Sequence, residues 1–141
     1  MQSDNRPTRR RSRRERGQAL VEFAFVVPIF LVLVLGVVDF GWALRSWITV
    51  TNSAREAARY GAVGATCDDI KQRAVDTSAD LLTTSDVSVV NCQGNPGTDV
   101  GVTVDYDYSF ITPLGDLLSF ISAGTFPTTL NMTSSSDMRI E

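Results

Sequence analysis

The sequence predicts an α+β fold. It comprises a long N-terminal helix that crosses a membrane and a small head with a short second helix and an antiparallel sheet of about three strands. Three observations carry this expectation. Seven arginines lie between positions 6 and 16, and Phe23 to Val38 then runs without a charge. Beyond that run, apolar residues recur at three- and four-residue steps, the period of a helix. From Asp86 onward the period becomes two, the spacing of half-buried strands. The expected divisions are a basic leader over 1–17, a helical spine over 18–64 and a head over 65–141.

The leader and the span come first. Phe23 to Val38 would measure about 24 Å as a helix, and a count from Gln18 gives about 31 Å. A bilayer core is about 30 Å thick, so the longer segment crosses it if Glu22 lies near one boundary and Asp39 at the other. Trp42 and Trp47, with Arg45 between them, suit the far interface. Asp39 is expected there as an acid within reach of Arg45, with no assigned role. Pro28 and Gly36 are tolerated in membrane helices. A cleaved secretory peptide would need a shorter apolar core and an A-x-A-like site, and Gly36 to Ser46 offers none. The pair Arg13-Arg14 invites a twin-arginine export reading, but no fitting cleavage site follows. By the positive-inside rule, residues 1–17 are cytoplasmic and 45–141 lie outside, which makes a single-pass cytoplasmic-membrane protein with an extracytoplasmic head. Anionic membrane lipid is a partner for the arginines; nucleic acid is not expected, since no aromatic interleaves them.

Past the membrane, Phe40, Ala43, Leu44, Trp47, Ala54, Ala57, Ala58 and Gly61 form an amphipathic stripe. Glu56 and Arg59 are a candidate i,i+3 pair. Thr66-Cys67-Asp68-Asp69 has the spelling of a capping box, with Thr66 as N-cap and Asp69 reaching back. The helix it opens is expected to reach about Leu82 and to bury Ile70, Ala74, Ser78 and Leu81. Val87 and Val89 begin a short strand, and Gly94-Asn95-Pro96-Gly97 is a turn. Val100, Val102, Val104, Tyr106, Tyr108 and Phe110 alternate with Gly101, Thr103, Asp105, Asp107 and Ser109, a strand with one wet face. Thr112-Pro113 starts a short helix that Gly124 ends. Leu130, Met132, Met138 and Ile140 alternate along a last strand.

A head of this size has a marginal core and gains from a staple. Cys67 and Cys92 are the only cysteines and lie on the outward side, where disulfides persist. A loop of about 25 residues closed by that bond contributes about 3–4 kcal/mol in the chain-entropy model. The alternative is two buried free thiols. Charge is segregated. Residues 1–16 hold seven arginines against Asp4 and Glu15, whereas residues 61–141 hold eleven acids against Lys71, Arg73 and Arg139. An acidic head repels nucleic acid.

The chain contains no histidine, which removes Ser-His-Asp and Cys-His catalysis and His-ligated zinc. No phosphate-cradling G-x-x-x-x-G-K-[ST] loop occurs. Asp68, Asp69, Asp76 and Asp80 lack the calcium-loop spacing and read as a solvated helix face. No cofactor, no metal and no enzymatic activity are expected.

Residues Arg16-Gly17-Gln18-Ala19-Leu20-Val21-Glu22-Phe23-Ala24-Phe25-Val26-Val27-Pro28 resemble the start of TadE-like proteins. These are minor pilins or pseudopilins of the tight-adherence (Flp-type) branch of type IV pili. The resemblance continues through Val38-Asp39-Phe40-Gly41 and Asn52-Ser53-Ala54-Arg55-Glu56-Ala57-Ala58-Arg59-Tyr60, covering about the first 64 residues. It implies a type IV pilin-like architecture and a prepilin peptidase that cuts between Gly17 and Gln18. Other pilins and pseudopilins of the tight-adherence machinery are the implied partners, and assembly or adhesion of the pilus is the implied role. Glu22 then becomes the fifth residue of the mature chain and Phe23 the sixth, where related pilins carry Tyr. Such a cut removes the arginines and leaves an α-amino group on Gln18, one helical turn from Glu22. An amine there, from the same chain or a neighbour, offsets the cost of an acid near hydrocarbon. The rival expectation is an unprocessed membrane-anchored envelope protein whose head binds a secretion-system component or ligand.

Overall fold

The computed structural model describes residues 11–125 and 127–141, the first six of them by backbone alone. Much of the expected leader, including Arg6, Arg9 and Arg10, lies outside the described residues. The chain divides into two compact units between Val37 and Val38.

The first unit is the opening part of helix α1 (Arg11–Gly61). Its apolar side chains project in all directions. Leu20, Phe23, Phe25, Ile29, Phe30 and Leu33 are all at least 60% exposed. A helix apolar around its whole circumference needs an apolar solvent, because no single face can be buried to remove the rest from water. Residues 17–62 include one window long and apolar enough to cross a membrane, with Pro28 inside the helix. The chain therefore carries a helix that fits a single-pass membrane anchor.

The second unit is the head together with the rest of α1. Three antiparallel strands form one sheet in the order β1 (Val87–Val90), β2 (Asp99–Ser109), β3 (Thr129–Arg139). Strand β1 pairs Val87 with Val104, and β2 pairs Tyr108 with Leu130 and Val100 with Met138. Helix α2 (Cys67–Asp76) precedes the sheet, and helix α3 (Leu114–Ile121) links β2 to β3. The head is thus α+β in the order expected: helix, strand, strand, short helix, strand. The core gathers Val50, Ala54, Ala57 and Ala58 of α1, Ile70 and Ala74 of α2, and Val100, Val102 and Val104 of β2.

Period two explains β2. Its valines and Tyr108 turn inward, while Asp105 and Asp107 face water. There they accept hydrogen bonds from their cross-strand partners, Thr133 Oγ1 to Asp105 at 2.6 Å and Asn131 Nδ2 to Asp107 at 2.9 Å. Where α1 ends, β2 comes very close. A methyl group on Gly61 would lie 2.9 Å from Ile70 Cδ1 and 3.0 Å from Val100 Cγ2. A Cβ there would require the Ile70 and Val100 side-chain ends to shift, so glycine eases the approach of helix to sheet.

Three expectations require correction. First, the apolar stripe of α1 does not lie on one face. Ala54, Ala57, Ala58 and Gly61 face the head, but Phe40, Leu44 and Trp47 stay exposed. The face that meets the head begins instead with Asp39, Ser46 and Val50. Small side chains allow a close approach of backbone to backbone, and large ones hold elements apart. Second, α2 stops at Asp76. Thr77 Oγ1 bonds back to Arg73 O at 2.9 Å and Ser78 Oγ to Val75 O at 2.7 Å, which takes carbonyls that further helical turns would use. Ala79 and Asp80 then adopt positive φ, Leu82 joins the buried core, and Leu81 packs against that core half-buried. Third, Asp69 does not reach back to the Thr66 amide. Thr66 accepts from Asp69 N at 3.2 Å, and its hydroxyl donates to the Asp69 carboxylate at 2.7 Å.

Candidate assembly and anchoring site

The residues singled out at the N-terminal edge of the span lie together on successive turns of α1. Gln18 and Glu22 are four positions apart, and Gln18 Nε2 donates to Glu22 Oε1 at 3.3 Å. The helix explains the contact, since i and i+4 share one face. A methyl group on Gly17 would meet nothing within 4 Å, and Phe23 is 66% exposed. These side chains therefore stand open to an enzyme, to lipid or to a neighbouring helix. The chemistry available is one carboxylate with a neutral amide partner, poised where a cation would be a stronger one.

The second acid, Asp39, behaves differently from expectation. It is buried, with 2% of its surface exposed. Its Oδ1 accepts from the amides of Ile111 and Thr112 at 3.0 and 3.1 Å, and its Oδ2 accepts a short bond from Thr112 Oγ1. Tyr108 Oη donates to the Asp39 carbonyl at 3.2 Å. One residue of α1 thus fastens the loop between β2 and α3 to the helix. Burial, and secondarily the negative Asp39, raises the Tyr108 phenol above its ordinary value. Arg45 is turned elsewhere, its guanidinium 4.8 Å from the Trp42 ring centroid. The sequence did carry a signal that Asp39 needs a partner, though not which one. An acid at the edge of a long apolar run is costly wherever it sits, and that argument applied to Asp39 as well as to Glu22.

Two further links tie α2 into the unit. Cys67 and Cys92 form a disulfide with Cα atoms 5.3 Å apart. Glu56 pairs with Arg73 of α2 at 2.7 Å and not with Arg59, although Arg59 still adds a weak attraction. The Arg73 hydrogen bond holds the Glu56 carboxyl below its ordinary value. Both side chains are more than a third exposed, so solvent screens the pair and it contributes little.

Against known proteins, the match coincides with this geometry. Residues 17–59 match the model of the TadE-like protein family. The TadE-like segment starts at Gly17 and contains Glu22, Phe23, the apolar helix, Asp39 and the small-residue face that the head packs on. The sheet, α2, α3 and both cysteines lie outside it. No curated protein and no solved structure matches the chain. The TadE-like segment and the exposed apolar helix together support a membrane-anchored, pilin-like protein.

Proposed function

We propose that this chain is a minor pilin or pseudopilin of a tight-adherence pilus, with residues 1–17 as leader, 18–64 as spine and 65–141 as head. The observation that carries the reading is the family match that opens at Gly17 and runs through an exposed, uncharged helix. The arginine leader sets the orientation, with the N-terminus cytoplasmic and the head outside. A prepilin peptidase cuts between Gly17 and Gln18. The new α-amino group then lies one turn from Glu22, which up to that point has a neutral Gln18 amide as its neighbour. Exchange of a neutral donor for a cation strengthens the pairing where water is scarce. An amine from an adjacent spine would serve equally and would fix the two helices in register. The role is structural: a spine held by lipid or by neighbouring spines, and a head that presents a surface to other pilus components.

Mass spectrometry of the protein from its own host tests the cut. The expected first residue is Gln18. A fully active chain that still carries the arginine leader would support the rival, an unprocessed envelope protein. Glu22→Ala is expected to insert normally and to impair assembly; normal piliation would remove the pairing role.

A further inference from the structure

The head has an apolar edge that the proposed function leaves unused. Helix α3 buries Leu114 and turns Leu117, Phe120 and Ile121 outward, with exposures of 44, 85 and 71%. Ile111, in the loop before it, is 59% exposed. Helical spacing puts Leu117, Phe120 and Ile121 on one face. Side chains of this size, contiguous and in water, mark a surface that something covers.

The position of that edge says what covers it. The uncharged run ends at Val38, and Asp39, the next residue, holds the amides of Ile111 and Thr112. Helix α3 begins two residues further on, at Leu114. The clasp therefore keeps the start of α3 beside the first residue past the uncharged run. The side of α1 not taken by the head is apolar at the same level, with Phe40, Leu44, Trp47 and Ile48 between 45 and 66% exposed. Both patches belong to the unit that begins at Val38, where the uncharged run ends. From residue 110 to 130 the only charged residue is Asp116, so no basic group is present to seek anionic headgroups. We infer that the outward edge of α3 is a lipid-binding foot, seated by apolar insertion in the leaflet on the head's side. Asp39 acts as the positioning residue that holds the foot down. This rests on α1 being a membrane anchor and stands whether or not Gly17 is cleaved.

Bromolipid quenching tests it on the full chain in neutral phosphatidylcholine bilayers. Trp42→Phe and Trp47→Phe remove the native indoles. Phe120→Trp then places one indole on the foot, and Val90→Trp places one at the other end of the sheet. Val90 pairs with Gly101, seven residues along β2 from Tyr108, or about 24 Å. Both sites are already exposed, so neither substitution disturbs the core. The expected result is that brominated lipid removes most of the F120W emission and leaves V90W emission almost unchanged. Asp39→Ala in the F120W chain is expected to lower the lipid quenching several-fold. Equal quenching of F120W and V90W would overturn the inference. So would an F120W indole shielded from both bromolipid and aqueous iodide only as the chain-to-lipid ratio rises, because a second copy would then be the cover. The N-terminal mass and the quenching are read separately, so either proposal fails without the other.

Discussion

Asp39→Ala should free the β2–α3 loop, and the structure gives the size of the effect. The carboxylate accepts three hydrogen bonds, two from backbone amides and one from the Thr112 hydroxyl. Hydrogen bonds to a charged acceptor contribute roughly 1.5–3 kcal/mol each. Against that sum stands the cost of burying a charge, several kcal/mol in a protein interior. Among the described residues no cation forms a salt bridge with it, since Arg45 lies over Trp42. The net loss on truncation is therefore about 2–4 kcal/mol, felt locally as opening of residues 110–113. At about 1.4 kcal/mol per decade, amide exchange at Ile111 and Thr112 should accelerate roughly 30- to 700-fold. Asp39→Asn keeps an oxygen where Oδ1 stands, so both amides retain an acceptor and exchange should rise by about fivefold or less. Hydrogen exchange on the full chain in nanodiscs reads both variants. If Ala changes exchange at 111 and 112 by less than about threefold, the clasp does not hold the loop. If Asn equals Ala, acceptor geometry is not what holds it.

Tyr108 should ionise above the ordinary tyrosine value, because burial and then the nearby negative Asp39 disfavour phenolate. The sign follows. The unfolded chain releases this proton first as pH passes the ordinary value of 10.0, so the stabilisation is complete below that value and is lost as pH rises towards the folded one. Ultraviolet titration should lose its late phase in Tyr108→Phe and show it earlier in Asp39→Asn. Replacing Cys67 and Cys92 by Ser opens a link with a sequence separation of 25 and should cost about 3.5 kcal/mol in urea unfolding, with reductant then having no further effect. Gly61→Ala should lower the free energy of urea unfolding in detergent by about 1 kcal/mol, since overpacking against Val100 outweighs the gain in helix propensity; a stability that rises would mean the contact relaxes freely.

The element order could be read because each element carries its own period. The uncharged run and its flanks fit a span by length and composition, and the alternation from Val100 to Tyr108 has a wet face whatever packs on the other. The end of α2 was misjudged because Thr77 and Ser78 compete for helical carbonyls, a local effect that apolar spacing does not record. The stripe of α1 divides for a different reason. Phe40, Leu44 and Trp47 fit a helical stripe as well as Ser46, Val50 and Ala54 do, and period alone does not choose between two stripes.

Sequence alone determined that this chain has a helix long and apolar enough to cross a membrane, an acid near the start of its apolar run, an α+β head and a TadE-like opening. These follow from residue chemistry that acts over a few neighbours. Tertiary structure decided which side of α1 meets the head, because close backbone approach selects small side chains and leaves large ones outside. It also decided the role of Asp39. Its partners, the amides of Ile111 and Thr112, lie more than seventy positions away, and every residue but proline has such an amide, so no side-chain pattern announces the contact.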